Sequence, residues 1–596
     1  MEPKIYYTER LQELQEQQKK LEQKKSVFGW LRFGSIAAIV VVFYLLWSLG
    51  IGYVIAVSVL LLIIFFRLLY ADLRNKAAIN HLNFLIKINN DELKFLDGKY
   101  GDFPDGSNHI PADHLYANDL DIFGKASLFQ FINRSTSEMG SRQLAKYLQF
   151  PAALKIIEER QAAVKELSKK IPWIQDLQAK GKEKQITFST QNRLLNWISE
   201  PPAFSGFKPW NWLRFLLPAI ILTVVGLYIF DEVGSTLFYF SLLIFAALAY
   251  QINKYVAPIH ETLSKIAEEI QILSRSIEHI ENAKFESPLL KELHAAFFHE
   301  NKNVSGDINR LKKLLDQLDL RYNLVISLPL NILLLWNLQQ VLDLEKWKFN
   351  QQKNIQKWFD TLGQMEAISS FAVLHFNEPG WVFPEIIPGY FFIDGKEIGH
   401  PLLSKSRCVK NDILINHDGE LMLVTGSNMA GKSTYLRSIG VNVVLAMAGA
   451  PVCAAYFKVS HVHIISSMRI TDNLAESTST FYAELKKLKT IIEKVNAGEK
   501  VFILLDEILR GTNSLDRHTG SVALVKQLIK HHAAAIIATH DLDLAKLKEA
   551  FPESIINYHF DVQVSNDELF FDYQLKAGVC TSLNASILMK KIGIEL

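Results

Sequence analysis

The sequence predicts a multidomain chain with four membrane-spanning helices in two hairpins, an all-helical middle region and a C-terminal α/β domain. Three observations predict it. Two long apolar blocks, 34–66 and 210–250, carry almost no charge. Amphipathic runs at helical spacing dominate 251–375, as at 259–280 and 308–320. From about residue 376 the texture changes to short apolar runs separated by Gly, Asn and Asp, the pattern of alternating strands and helices. At 596 residues the chain has room for several domains of about 100–200 residues each.

Residues 1–27 are polar, rich in Gln, Glu and Lys, with Leu11, Leu14 and Leu21 at helical spacing; they predict a juxtamembrane helix. The first hairpin is placed at 28–70. No charge occurs between Gly34 and Phe66, and Gly50-Ile51-Gly52 interrupts the run. Crossing ~30 Å of hydrocarbon takes about 20 helical residues, so the block fits two spans, roughly 28–48 and 51–70. Residues 71–118 are expected to be a linker, with Gly, Pro, Asp and Asn clustered over 100–118. Helical patterns over 119–208 form the first part of a helical core. The second hairpin, 209–252, is interrupted only by Arg214 and the pair Asp231-Glu232. Helical patterns resume over 253–375. Within them 324–336 is apolar but short and contains Pro329 and Asn331, so it is expected to be a buried or membrane-surface helix and not a fifth span. The α/β domain occupies 376–596.

Lys19, Lys20, Lys24 and Lys25 precede the first block and Arg67, Arg74 and Lys76 follow it; Lys208, Arg214 and Lys254 flank the second. The two connecting turns carry no basic residue, which puts both termini and the α/β domain in the cytoplasm. The expectation is a multi-pass protein of the inner (cytoplasmic) membrane, with the lipid bilayer as a partner. The bland alternative is a pair of buried core hairpins in a soluble protein. No short apolar region ends in an A-x-A-like site, so a cleaved signal peptide is not expected. The 64 Lys+Arg and 62 Asp+Glu give a formal charge of +2, which neither requires nor excludes a nucleic-acid partner. Cys408, Cys453 and Cys580 show no C-x-x-C spacing, so no disulfide frame or zinc site follows.

The chemistry is concentrated in the last domain. Gly426-Ser427-Asn428-Met429-Ala430-Gly431-Lys432-Ser433-Thr434 follows an apolar run and precedes a helical one. A G-x-x-x-x-G-K-[ST] loop in that setting turns its backbone N–H groups toward phosphate oxygens at the positive end of a helix. Lys432 can then reach the β- and γ-phosphates and the Ser433 hydroxyl can ligate Mg²⁺. A second apolar run, 501–505, ends in Asp506-Glu507. Asp506 is expected to hold Mg²⁺ and Glu507 to act as the general base that polarises an attacking water. A third run, 535–539, ends in His540, whose imidazole could contact the γ-phosphate. An acidic pair at a strand end is often only solvated, and a lone histidine is more often structural. The order and spacing of the whole set carry the reading: a P-loop ATPase domain of the ABC type, with ATP and Mg²⁺ as cofactors.

The residues around these motifs resemble the MutS mismatch-repair family. Thr425 to Thr434 is similar to that family's T-G-x-N-M-x-G-K-S-T loop. Asp472-Asn473-Leu474, then Ser479-Thr480-Phe481 and Glu484, resembles its D-[DN]-L…S-T-F-x-x-E segment. Asp506-Glu507-Ile508-Leu509-Arg510-Gly511-Thr512 resembles D-E-I-x-R-G-T, and Ala538-Thr539-His540 resembles A-T-H. Upstream, 127–167 resembles the start of the family's helical core, and 365–372 its returning lever segment. The resemblance covers roughly 119–167 and 255–596. It implies that 119–208 and 253–375 are a core with levers. It further implies a homodimer in which Ser477, Thr478, Ser479 and Thr480 of one subunit complete the other's nucleotide pocket, and a ring near the adenine at Tyr573.

The departures are informative. The family reads mismatches with an N-terminal domain bearing a Phe-x-Glu wedge. Phe376-Asn377-Glu378 and Phe551-Pro552-Glu553 have those letters but lie near or inside the ATPase segment. The first hairpin and its linker stand where that domain would be. The resulting expectation is a membrane-anchored, dimeric ATPase that couples nucleotide state to lever movement and acts on DNA without mismatch selectivity. The alternative is a DNA-independent membrane switch acting on an unknown protein partner. A transporter of the ABC kind is disfavoured, because the spans offer no polar path and no L-S-G-G-Q stretch occurs.

Overall fold

The computed structural model describes residues 2–47, 50–111, 114–204, 206, 209–299, 302–427, 429–468, 480–565 and 568–580. It opens on two very long helices, α1 (Pro3–Leu46) and α2 (Ile51–Leu96), packed against each other along their length. Pro3 sits in the first turn of α1, where its missing N–H costs nothing. No Gly or Pro occurs between Gly52 and Gly98, so nothing stops α2 before Leu96. At 1.5 Å per residue each helix is about 65–70 Å long, twice the hydrocarbon thickness.

The outer half of this pair is apolar on all sides and almost uncovered by protein. The inner half is a polar stalk. Arg32 and Asp72 pair at 3.0 Å and mark the charged limit between the two halves. In the stalk Leu14, Leu82, Leu85 and Ile88 form a small core of their own with Ala179. The expectation of a linker over 71–118 is therefore corrected for its first part: 71–96 is stalk helix. The apolar stripe of Ile79, Leu82, Leu85 and Ile88 continues the helical period past the end of the uncharged block. The juxtamembrane segment is likewise not separate but the first half of α1.

The middle region is helical throughout. A loop leads into α3 (Leu128–Ile132), α4 (Glu138–Gln149), α5 (Leu154–Leu167), α6 (Ile171–Glu183) and α7 (Phe188–Ser199). The second apolar hairpin is α8 (Trp210–Ile229) and α9 (Ser235–Ser264). Among the described residues, α1, α2, α8 and α9 are the four helices long and apolar enough to cross a membrane. Beyond position 252, α9 runs on into the core, where Ile252, Val256, His260 and Leu263 are buried. Next come α10 (Ala267–Glu281), α11 (Pro288–Ala295), a short hairpin of β1 (Phe298–His299) and β2 (Lys302–Asn303), and α12 (Val304–Asp319). Helix α13 (Leu324–Leu334) is bent by 75° from α14 (Trp336–Gln351). None of residues 325–334 is buried, so the 324–336 segment is a surface helix and not a core one. Helix α15 (Ile355–Asn377) is buried over most of its length and runs through the middle of the core to the C-terminal region.

Fully buried Glu366 of α15 accepts hydrogen bonds from the backbone N–H and hydroxyl of both Thr136 and Ser137, at the N-terminus of α4. Burial pushes its carboxyl up, and those four donors hold it down.

The C-terminal region is α/β. Strands β3 (Glu385–Ile387), β4 (Ile393–Ile398), β5 (Asn411–Ile415) and β7 (Tyr456–Ser460) make a four-stranded sheet in the order β3-β7-β4-β5. The second sheet uses β6 (Leu421–Gly426), β8 (His463–Ser467), β9 (Val501–Asp506), β10 (Ala534–Thr539), β11 (Ile555–Ser565) and β12 (Glu568–Ala577) in the order β12-β11-β6-β10-β9-β8. All neighbours in it are parallel except the β11–β12 pair. Helices α16 (Lys432–Ala448), α17 (Thr480–Asn496) and α18 (Ser514–Lys530) cover it. Successive strand side chains point to opposite faces. Thus Met422, Val424, Leu504, Ile536 and Ala538 join the core that contains α16, whereas Leu421, Leu423, Leu505 and Ile537 pack with Ile491 of α17 and Leu524 of α18. Burial on both faces explains why β6, β9 and β10 read as unbroken apolar runs.

Candidate functional site

The three motif strands are neighbours. Strand β10 pairs in parallel with β6 on one side and β9 on the other, with Thr539 level with Thr425 and Ala538 level with both Val424 and Asp506. The loop after β6, Asp506-Glu507 after β9 and His540 after β10 therefore emerge side by side at one sheet edge. Ligands of open α/β sheets bind at that carboxyl edge.

The loop is built for close approach. Gly426 has φ 146°, and a Cβ there would lie 2.7 Å from the Phe560 carbonyl oxygen. Gly431, at φ 110°, is the residue from which α16 starts, and the Tyr573 ring lies against it. Met429 between them is also left-handed and highly exposed. Asn428 lies outside the described residues. Ser433 and Thr434 fall in the first turn of α16, where helix amides have no intrahelical partner.

Lys432 is buried, and its Nζ donates to the carbonyls of Gly426 (2.9 Å) and Ser427 (3.0 Å) and stands 3.3 Å from Nε2 of His540. Burial draws its ammonium below the ordinary lysine range, while the charges of Asp506 and Glu507 pull it back up. His540 Nε2 in turn lies 2.7 Å from Glu507 Oε1. That hydrogen bond is the largest influence holding the Glu507 carboxyl below the usual range, against the opposing effect of burial. The other Glu507 oxygen pairs with Arg510 Nε at 2.8 Å. Asp506 is buried, with one oxygen 3.8 Å from Arg510 and the other, Oδ1, without a hydrogen-bond partner among the described residues.

An orphaned buried carboxylate oxygen is costly, and a cation bound there removes the cost. The donor set of Asp506 carboxylate and Ser433 hydroxyl is hard oxygen, which suits Mg²⁺. The loop amides and Lys432 suit a polyphosphate. The residues present therefore fit both expected cofactors.

Glu507 and Leu509 are left-handed (φ 47° and 59°), an unusual backbone for non-glycine residues and one that clusters at functional sites. Glu484 of α17 fixes this turn by accepting the Leu509 N–H at 2.5 Å. Arg510 and Glu484 thus belong to the site's support. Sequence reasoning gave them no role, although both stand inside the motif segments. Tyr573 is brought to the loop, stacked on Phe571 and with its carbonyl accepting from Asn411. Ser477, Thr478 and Ser479 lie outside the described residues; Thr480 opens α17.

Comparison with known proteins points one way. The family model for MutS domain V matches residues 422–590. The chain is 35% identical over 224 residues to the DNA mismatch repair protein MutS of Aquifex pyrophilus, covering 36% of this chain and 25% of that protein. It is 31% identical over 245 residues to MutS of Persephonella marina, covering 40% and 28%. MutS protein homolog 4 of Mus musculus is 31% identical over 241 residues, covering 39% and 24%. The chain spans about a quarter of the length of the relatives it matches.

Proposed function

We propose that this chain, whose residues 422–590 match MutS domain V, is a membrane-anchored, dimeric, Mg²⁺-dependent ATPase of the MutS kind whose helical levers move with nucleotide state. One observation carries the reading. Lys432 Nζ and Glu507 Oε1 lie 3.3 Å and 2.7 Å from His540 Nε2, beside an Asp506 oxygen that has no partner among the described residues, at the ends of three adjacent parallel strands. In this reading the loop amides and Lys432 would hold the phosphates of ATP, and Ser433 and Asp506 would hold Mg²⁺, which when bound would supply neutralising charge at the phosphates. Glu507, kept ionised and aimed by His540 and Arg510, accepts the proton of the attacking water. Tyr573 lies beside the loop where an adenine ring would stack, and residues 477–480 complete the partner's pocket. Helices α1, α2, α8 and α9 anchor the protein in the cytoplasmic membrane, with termini and ATPase inside.

DNA is the proposed partner of the levers, since the relatives are named for DNA mismatch repair. Lys291, Lys302, Arg310 and Lys313 are exposed around α11, α12 and the β1–β2 hairpin. Such cations grip phosphates without reading sequence, and the two Phe-x-Glu stretches, 376–378 and 551–553, lie near or inside the α/β region and not on the levers. A second reading, a membrane switch that acts on a protein partner, draws on the hydrogen bonds that tie Tyr7 of α1 and Glu92 of α2 to Asn377 of α15. The test uses the full chain in detergent. Lys432→Ala should weaken ATP binding by at least ~10-fold, about 1.4 kcal/mol; unchanged binding would remove the nucleotide assignment. Duplex DNA should bind with steep salt dependence and equally whether matched or mismatched. Salt-insensitive or absent binding would favour the protein-partner reading.

A further inference from the structure

Helix α13 is the one apolar element whose surroundings the ATPase and lever readings leave unexplained. From Tyr322 to Leu342 there is no charged residue. Yet the segment does not run straight: it turns by 75° at Leu335, which adopts the left-handed conformation (φ 47°) without being glycine. A turn of this kind frees backbone groups, and here a side chain takes up one of them. The Asn331 side chain accepts the Asn337 N–H at 2.9 Å and donates to the Ser327 carbonyl at 2.9 Å and the Ser327 hydroxyl at 3.2 Å. The Trp336 indole N–H donates to the Gln317 carbonyl. Side chains that take up freed backbone groups at a helix break suit an apolar medium.

The exposed face of α13 is aliphatic. Val325 is 84% exposed, Leu328 55% and Ile326 43%. Its other face lies against α8 and α9, so its surface continues theirs. The elbow is fastened to the bases of both helices. Asn337 donates to Asn253 of α9, Gln339 donates to the Arg214 carbonyl of α8, and Arg214 pairs with Asp343 at 3.0 Å. Trp212 at the start of α8, Tyr255 past the apolar stretch of α9 and Tyr322 just before α13 are exposed, and such aromatic side chains are enriched where hydrocarbon meets headgroups. Eleven residues span about 16 Å, too short to cross a bilayer.

We propose that α13 is an interfacial helix, its Val325, Ile326 and Leu328 face embedded among the phospholipid glycerol and upper acyl groups on the cytoplasmic side, beside α8 and α9. This rests on the membrane reading of those helices. The lipid, and not a second protein surface, is the occupant because the patch is continuous with α8 and α9, whose apolar stretches have almost no protein cover. Through the elbow, α14 and the core it packs on are held against the membrane surface.

The experiment uses the full chain in phosphatidylcholine–phosphatidylglycerol vesicles, with Cys408→Ser leaving only the two buried thiols. An environment-sensitive fluorophore is attached at Val325→Cys or Leu328→Cys, at Val59→Cys in the middle of the apolar stretch of α2, and at Glu493→Cys on α17. Quenching by lipids brominated near the headgroup should exceed quenching by deep-brominated lipids at least ~2-fold for 325 and 328, since interfacial helices sit about 5–10 Å deep. Position 59 should show the reverse and 493 neither. If 325 and 328 behave like 493 while 59 is quenched, the proposal is wrong and the membrane reading stands. If 325 and 328 follow the deep pattern of 59, α13 is inserted and not interfacial, which also overturns it. Loss of quenching at 59 as well would bring down the membrane reading on which the proposal rests.

Discussion

Glu507 is the residue on which the site's electrostatics converge. It bonds His540 with one oxygen and Arg510 with the other. The pKa of its carboxyl is depressed, so the ionised form prevails above that lowered value and is lost only as pH falls through it. Hydrolysis should therefore hold its rate into mildly acidic solution. His540→Ala removes the largest influence on the shift, so the acid limb of kcat should move up in pH toward the ordinary carboxylate value of about 4.3, on top of any loss of rate. A pH–rate profile of the two proteins checks this, and an acid limb that stays in place would show that His540 does not tune Glu507. Most of this cluster was legible in sequence, because a phosphate loop needs a fixed spacing and each following polar group closes an apolar strand run. The strand order that brings His540 between Lys432 and Glu507 was not, since pairing of distant strands leaves no local mark.

Among elements, the stalk is where sequence patterning misled most and where packing explains why. The uncharged block ends near Phe66, but α2 continues because no helix breaker follows until Gly98. The stalk then docks through a buried polar network. Arg134, just before α4, donates to both oxygens of Glu92 of α2 (2.6 and 3.0 Å) and lies over the Phe95 ring. Asn377, the last residue of α15, donates to Glu92 and accepts from the Tyr7 hydroxyl of α1. Both stalk helices are thus tied to the end of the helix that enters the α/β region. Glu92→Ala strands the Arg134 guanidinium in a buried site, so a loss of about 3–5 kcal/mol is expected. Tyr7→Phe removes one hydrogen bond worth about 1 kcal/mol. Thermal unfolding in detergent should rank them in that order; equal shifts would mean that the network does not bear on stability.

At the scale of the whole molecule, two helical hairpins carry apolar surface with almost no protein cover, and both are continuous with helices that pack into the rest of the protein. Hydropathy and charge bias made the apolar hairpins legible, whereas their extension into stalk and core was hidden because polar faces replace apolar ones without interrupting the helix. An integral protein should remain in the membrane fraction after carbonate washing, and tags at either terminus should be shielded from protease added outside. Release into the soluble fraction would count against four spans.

The central claim is that this chain hydrolyses ATP with Glu507 as the base. Its most direct test is single-turnover ATP hydrolysis, with Mg²⁺, by the full chain and its Glu507→Ala variant, alongside equilibrium nucleotide binding by both. The account predicts unchanged binding and hydrolysis slowed by at least ~10²-fold, as loss of a positioned base produces. Turnover at the native rate in the variant would contradict it.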